Sequence, residues 1–196
     1  MRVRAAFLLR GTFVEQRFEQ LLAAARTGAD WAWAELYREL APSVLGYLRA
    51  RGTAEPEDLL GEVFVQLVRD LARFEGDERA FRAWVFTVAH HRMLDAARRA
   101  RRRPRIQPGD GVPERAHALG DSEEEALTAL REQQLARMIG RLSPDQQTVV
   151  LLRIVGDLTV EQVAEVIGKR PGAVKALQRR GLATLALEMS KEGVTL

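Results

Sequence analysis

Apolar residues recur at helical spacing along almost all of this 196-residue chain. The clearest example is one continuous stripe, made of Leu59, Leu60, Val63, Phe64, Leu67, Val68 and Leu71. No stretch of strand length alternates between apolar and polar residues, so the pattern predicts an all-α protein. We expect helices over residues 14–27, 30–51, 55–74, 78–102, 122–140, 144–155, 160–167 and 172–189.

A segment rich in proline and glycine interrupts this pattern between residues 104 and 120. Such a composition is typical of a linker, so we expect two small helical domains joined by a flexible segment. The predicted organisation is a flexible extension (1–13), a first domain (14–103), a linker (104–121), a second domain (122–190) and a tail (191–196). Three helix starts in the second domain have capping-box spacing: Ser122 with Glu125, Ser143 with Gln146, and Thr159 with Gln162.

The charges are sorted into blocks, although the formal net charge is only +3. Arginines are concentrated at the end of the fourth predicted helix, at positions Arg98, Arg99, Arg101, Arg102, Arg103 and Arg105. Such a cluster can neutralise several phosphates of a nucleic acid and release their counterions. The alternative is a solvated helix end, where arginines are favoured by the negative pole of the helix dipole.

Composition and motifs exclude several classes of function. The chain has no cysteine, which excludes disulfides, thiolate metal sites and cysteine nucleophiles. Its N-terminal apolar run, residues 5–9, is too short for a signal peptide or a membrane span, so we expect no membrane insertion. Adjacent His90 and His91 point about 100° apart on a helix and lie outside any HExxH pattern. We therefore expect no metal site, cofactor, small-molecule substrate or catalytic residue.

Residues 158–180, LTVEQVAEVIGKRPGAVKALQRR, have the spacing of a helix-turn-helix. Val163 and Ile167 give the first helix an apolar face, and Gly168 permits the turn. The outer side of the second helix is polar and cationic, which suits contact with base edges and phosphates in the major groove. An ordinary antiparallel helix pair is the alternative.

Two further surfaces lie in the first domain. Asp58, Glu62 and Gln66 recur every four residues opposite the apolar stripe and form an acidic ridge that can dock on a basic partner or face solvent. On the next helix an aromatic residue lies in line with a row of polar side chains that ends in arginines: Trp84, His91, Asp95, Arg98 and Arg102. Stacking on a ring beside a basic groove suits single-stranded or opened DNA, unless the tryptophan belongs to the core.

The order of these parts resembles a bacterial sigma factor of the extracytoplasmic-function group, the minimal two-domain type. The resemblance lies in EDLLGEVFVQLVRDLARF (57–74), in FRAWVFTVAHHRMLDAARRARRR (81–103) and in LSPDQQTVVLLRIVGDLTVEQVAEVIG (142–168) with the basic helix that follows. It implies a factor without catalytic activity that directs core RNA polymerase to promoters in the cytoplasm and helps melt them.

The resemblance also assigns residues to three contacts. The acidic ridge, Asp58, Glu62 and Gln66, would bind the clamp coiled coil of the largest polymerase subunit. The minus-ten element would contact Phe81, Arg82, Trp84, His91, Arg92, Asp95, Arg98 and Arg99. The minus-thirty-five element would contact Arg170, Gly172, Ala173, Lys175, Ala176, Gln178 and Arg179.

Two residues depart from the family pattern: His91, where asparagine is common, and Lys169, where an apolar residue is usual. Regulation in this family more often comes from an anti-sigma protein that clamps both domains, so such a protein is a possible partner, but nothing in the sequence identifies one. Two other functions stay open from the residues alone. One is a helix-turn-helix regulator that binds duplex DNA without polymerase, and the other is a small helical metal-dependent hydrolase.

Overall fold

A computed structural model describes residues 17–102 and 134–191, which we call the N-terminal and C-terminal lobes. These residues contain helices and no β-strand, which confirms the all-α prediction for the part of the chain that is described. The predicted N-terminal extension, the linker and the Ser122–Glu125 capping box lie outside the described residues. Among the described helices, none is both long enough and apolar enough to cross a membrane.

The helix bounds follow the sequence pattern closely. In the N-terminal lobe the helices are α1 (17–26), α2 (Asp30–Ala50), α3 (Pro56–Asp70) and α4 (Glu78–Arg102). A 3-10 turn, Leu71–Arg73, follows α3 where a continuous helix was expected. In the C-terminal lobe they are α5 (134–140), α6 (Pro144–Ile154), α7 (Val160–Ile167) and α8 (Pro171–Lys191).

The core of the N-terminal lobe lies between α2, α3 and α4 and is rich in aromatic rings. Tyr47 of α2 meets Phe86 of α4 edge to face at 5.8 Å. Phe81 meets Phe74 in the same way, with ring centroids 5.2 Å apart. Val68 does not belong to the buried part of the predicted apolar stripe, because it is 53% exposed. The buried stripe is thus narrower than the sequence pattern indicated.

Local capping and one close helix crossing define the C-terminal lobe. Ser143 and Thr159 each accept a hydrogen bond from the backbone of Gln146 and Gln162, respectively, and both capping boxes are complete. Gly181 of α8 faces α6 so closely that an added Cβ would lie 2.8 Å from Val150 Cγ2. Glycine therefore lets these two helices approach each other.

The two lobes pack on each other. Helix α7 contacts α4, and α6 contacts α2. Arg51, at the end of α2, donates from Nη1 to Gln147 Oε1 (2.6 Å) and to the carbonyl of Pro144 (3.2 Å). Gln162 donates to the carbonyl of Arg79 at 3.2 Å. Buried apolar residues of both lobes consequently form one continuous cluster.

A buried polar pair lies near this contact. His90 is 7% exposed, and its Nδ1 lies 2.8 Å from the Tyr47 hydroxyl. The Tyr47 hydroxyl donates to Nδ1 when the neutral histidine has its proton on Nε2. Burial lowers the pKa of His90 to about 4, and the charges of His91 and Arg51 act in the same direction. The histidine is therefore neutral in the folded protein at neutral pH.

Folding stability is expected to depend on the protonation of His90. Because the folded pKa lies below the unfolded value of about 6.5, its contribution is complete above that pH and is lost as the pH falls toward 4. The loss is on the order of 2 kcal/mol by pH 5. Urea unfolding followed by circular dichroism at several pH values measures it.

Two variants isolate this effect from the titration of carboxylates. His90→Asn cannot become charged and should show a flatter pH dependence than the wild type between pH 6.5 and 4. His91→Asn, at an exposed neighbouring position, removes only a secondary charge contribution to the lowered pKa of His90 and should reduce the slope much less than His90→Asn does. Equal slopes for the wild type and His90→Asn would contradict the assignment.

Candidate nucleic-acid interfaces

The acidic ridge of α3 and the arginine-rich end of α4 lie side by side. Arg92 donates from Nε to Gln66 Oε1 at 2.7 Å. Glu62 Oε2 lies 3.6 Å from Arg92 Nη1 and 3.5 Å from Arg99 Nη2. Two surfaces that the sequence presented as separate thus share a border. Their side chains remain substantially exposed, so each of these ion pairs contributes at most about 1 kcal/mol and is easily exchanged.

Asp58 differs from the other two members of the ridge. It lies in the first turn of α3 and is exposed. Its carboxylate has no side-chain partner among the described residues. Val65 and Val68, both about half exposed, add an apolar component to the solvent-facing side of the same helix. The surface of α3 therefore offers a free negative charge beside exposed valines.

The arginines of α4 converge on one shallow depression. It is lined by Arg92, Asp95, Arg98, Arg99 and Arg102. Arg98 Nη1 contacts Asp95 Oδ1 at 2.9 Å, and their side chains are mostly exposed. With four guanidinium groups and one carboxylate, the depression is strongly positive and can hold the phosphates of a nucleic-acid backbone.

The aromatic residues at the start of α4 have different positions. Phe81 is 2% exposed and packs on Phe18 as well as Phe74. The ring of Phe81 therefore belongs to the core, contrary to the expectation that it contacts DNA directly. Trp84 is only partly buried and stacks on Phe74, with ring centroids 5.2 Å apart and planes at 23°. Phe74 and Phe81 both pack against the tryptophan ring.

The remaining predicted minus-ten residues lie at or near the surface of the same helix. His91 is exposed. Arg82 is mostly buried, and its Nη2 lies 3.5 Å from Glu39 Oε1 of α2. That ion pair holds the guanidinium close to the protein, so Arg82 is the least available of the predicted arginines on α4.

The C-terminal lobe contains the predicted helix-turn-helix. Gly168 adopts the left-handed conformation (φ 64°, ψ 34°) between α7 and α8. Val163, Ala164 and Val174 are buried between the two helices. The backbone N–H of Lys169 donates to the carbonyl of Ala164 at 2.9 Å, which closes the turn. These contacts are those expected of the helix-turn-helix that the sequence predicts.

The unusual Lys169 has a clear structural role. Its ammonium lies 3.0 Å from Asp145 Oδ2, in the first turn of α6. An ion pair thus connects the turn to α6, at a position where the sequence pattern predicts an apolar residue. The departure from the family pattern leaves the turn between α7 and α8 intact.

The outward face of α8 carries unpaired positive charge. Arg170, Lys175 and Arg179 are exposed and have no side-chain partner among the described residues. Gly172 and Ala173 are exposed, whereas Ala176 and Gln178 are partly buried. A hypothetical Cβ on Gly172 would meet nothing within 4 Å, so the backbone at the start of α8 is open to close approach by a ligand.

The sequence did not predict two features of these surfaces. One is the contact of Glu62 and Gln66 with the arginines of α4. The other is the contact between the lobes through Arg51 and Gln162. Neither has a local sequence signal, because both depend on which helices become neighbours in space.

Comparisons with known proteins agree with this two-lobe organisation. Residues 36–103 match the family described as Sigma-70 region 2, and residues 132–185 match the one described as Sigma-70, region 4. The first match contains α3 and α4, and the second contains the helix-turn-helix.

Two relatives and one solved structure extend the comparison. The chain is 34% identical over 173 residues to the ECF RNA polymerase sigma factor BldN of Streptomyces coelicolor, covering 87% of this chain but 65% of BldN. It is 32% identical over 174 residues to the ECF RNA polymerase sigma factor ShbA of Streptomyces griseus, covering 84% of this chain and 91% of ShbA. The fold is similar to that of the sigma factor RpoE from Bartonella quintana, solved with the anti-sigma factor NepR. That likeness has a TM-score of 0.60 at 17% identity and covers 80% of this chain and 96% of the other.

Proposed function

Because the chain belongs to the ECF family of RNA polymerase sigma factors, we propose that it acts as an alternative sigma factor. It binds core RNA polymerase, recognises the minus-thirty-five and minus-ten promoter elements and promotes melting of the DNA. The observation that carries the proposal is the presence, in one chain, of an arginine-lined depression bordering an acidic helix and of a helix-turn-helix with a cationic face.

The α3 surface is the proposed contact with polymerase. Asp58, Glu62 and Gln66 would bind the clamp coiled coil of the largest subunit. The free carboxylate of Asp58 and the exposed Val65 and Val68 support this role, since a basic amphipathic helix would satisfy both. Glu62 would then exchange weak contacts with Arg92 and Arg99 for contacts with the partner.

The α4 surface is the proposed contact with the minus-ten element. Arg92, Arg98 and Arg99 would hold the backbone of the separated strand in the arginine-lined depression, with Asp95 and His91 beside it. The partly exposed Trp84 would stack on an unpaired base or on the last base pair of the duplex. Phosphate and stacking contacts together offset the few kcal/mol that unpairing each base step costs.

The α8 surface is the proposed contact with the minus-thirty-five element. Its start would enter the major groove, where Arg170, Lys175, Gln178 and Arg179 reach base edges and flanking phosphates. Gly172, Ala173 and Ala176 lack bulky side chains and permit close approach of the helix. Phosphate contacts position the lobe, and base contacts provide the sequence preference.

This function requires no catalysis by the chain and no cofactor, and it takes place in the cytoplasm, where the polymerase is. An anti-sigma protein is the proposed regulatory partner, as in the solved complex of RpoE with NepR. Family membership favours neither a polymerase-independent regulator nor a metal-dependent hydrolase.

Run-off transcription separates the sigma factor from a polymerase-independent regulator. Core polymerase with this chain should produce promoter-specific transcripts from a genomic fragment library, and core polymerase alone should not. The chain alone should bind the same fragments weakly, since its contacts with DNA are completed only in the open promoter complex. Tight binding to an intact operator without any activated promoter would refute the proposal.

Asp58→Arg should weaken the affinity for core polymerase at least tenfold, or about 1.4 kcal/mol. The replacement puts positive charge opposite the basic partner, and Asp58 has no described side-chain contact whose loss would disturb the fold. Glu62→Arg is a less clean test, because it also places a like charge beside Arg92 and Arg99. Fluorescence anisotropy of labelled chain with core polymerase measures the affinity.

Glu19→Arg on α1 is the matched control for Asp58→Arg. It changes the charge by the same amount at another exposed position and should bind core polymerase like the wild type. Equal affinity of Asp58→Arg and the wild type would remove the α3 surface from the proposed polymerase contact.

Lys175→Ala should reduce transcription from the native promoter about tenfold and leave the affinity for core polymerase unchanged. The loss should be much smaller on a promoter with an altered minus-thirty-five element, because a base contact matters only where the preferred base is present. Lys191→Ala, at the far end of α8, is the control and should have no effect on either promoter. An equal loss on both promoters would mean that Lys175 contacts phosphate only.

A further inference from the structure

Helix α1 ends beside the aromatic residues at the start of α4. Its last residue, Arg26, donates from Nη2 to the carbonyl of Phe74 at 2.5 Å. Phe74 lies between the 3-10 turn and α4, and its ring stacks on Trp84. None of the residues predicted to contact DNA or polymerase lies on α1. The hydrogen bond therefore connects the proposed minus-ten surface to a helix that has no proposed contact of its own.

The end of α1 is held in place by the rest of the N-terminal lobe. Four apolar residues of the helix are buried, each at most 8% exposed: Phe18, Leu21, Leu22 and Ala25. The indole N–H of Trp33 on α2 donates to the carbonyl of Ala25 at 3.1 Å. Because Ala25 directly precedes Arg26, the backbone of Arg26 has a fixed position from which its guanidinium reaches Phe74.

The ring of Phe74 is packed on several sides. Its plane lies at 23° to that of Trp84, with ring centroids 5.2 Å apart. Phe81 meets it edge to face, also at 5.2 Å. Gly76 lies against it as well, since an added Cβ there would come within 3.2 Å of Phe74 Cζ. These contacts fix the ring, and the hydrogen bond from Arg26 fixes the backbone that carries it.

The position of the Phe74 ring in turn affects that of Trp84. Trp84 is only partly buried, so its contacts with neighbouring rings matter for the plane that its indole adopts. An indole that is already held in the plane of a base loses less conformational freedom when the base stacks on it. A residue that holds Phe74 still therefore prepares Trp84 for stacking.

We propose that Arg26 is a positioning residue for promoter melting, which acts on Trp84 through Phe74. The inference rests on the proposed function and adds a residue of α1 to it. Arg26 contacts no base in this role. Its guanidinium holds the carbonyl of Phe74, and the Phe74 ring keeps the indole in the plane on which a base stacks.

Arg26→Met removes the hydrogen bond and keeps the apolar part of the side chain. Together with core polymerase, this variant should form open complexes at least threefold more slowly than the wild type, on a promoter recovered by run-off transcription. The permanganate reactivity of unpaired thymines measures the rate. Arg26→Lys keeps a charged donor and should restore most of the wild-type rate.

Arg17→Met is the matched control. Arg17 lies on the same helix, and its replacement removes the same charge. It also removes a contact that joins α1 to the lobe, the 2.5 Å ion pair with Glu35, whose carboxylate lies on α2 rather than in the turn before α4. The control should keep the wild-type rate. Equal slowing by Arg17→Met and Arg26→Met would assign the effect to charge or to the docking of α1, and would overturn the specific role of Arg26.

Stacking is measured directly with 2-aminopurine, a fluorescent base whose emission falls when an aromatic ring stacks on it. The probe is the same promoter with an already open, mismatched minus-ten segment and 2-aminopurine at its upstream edge in the non-template strand. At saturating polymerase, Arg26→Met should give brighter emission than the wild type, closer to Trp84→Leu, which defines the unstacked state. A role in folding stability alone would lower the amount of complex but leave the emission at saturation unchanged.

Salt dependence separates positioning from a direct phosphate contact, which is the competing role for an exposed arginine. The loss of a phosphate contact reduces the slope of log affinity against log salt concentration by about one. Arg26→Met should keep the wild-type slope, whereas Arg98→Met should reduce it. A reduced slope for Arg26→Met would mean that Arg26 binds phosphate instead.

The outcomes also separate this inference from the function on which it rests. A wild type that activates no promoter refutes the proposed function and the inference with it. An active wild type whose open-complex rate or saturated 2-aminopurine emission equals that of Arg26→Met refutes only the role of Arg26. Equal emission from the wild type and Trp84→Leu also refutes that role, because Trp84 would then stack on no base.

Discussion

The rotation of α4 about its own axis determines which residues of this protein can meet a nucleic acid. Its buried face is Phe81, Val85, Phe86, Val88, Ala89, His90 and Met93. These side chains pack on α2 and α3 and fix the helix in one orientation, with Trp84, His91 and the arginines turned outward. The Tyr47–His90 hydrogen bond contributes to this orientation, since a different rotation would leave two buried polar groups without partners.

The same packing makes neighbours of two surfaces that have opposite charge. Because α3 lies against α4, Glu62 reaches Arg92 and Arg99. A partner that binds Glu62 therefore removes part of the negative field around these arginines and strengthens their attraction for phosphate. Each exposed pair contributes at most about 1 kcal/mol, so this coupling between polymerase binding and DNA binding is modest.

Local signals in the sequence predicted the helices and the turn well. Apolar periodicity located the helices. The capping boxes at Ser143 and Thr159 marked the starts of two of them, and Gly168 marked the end of α7. The periodicity could not tell Phe81 from Trp84, because the segment FRAWVF is apolar around most of the helix. Contacts such as Arg99 with Glu62 and Arg51 with Gln147 join distant parts of the chain. They depend on how the helices pack, which residue spacing alone does not specify.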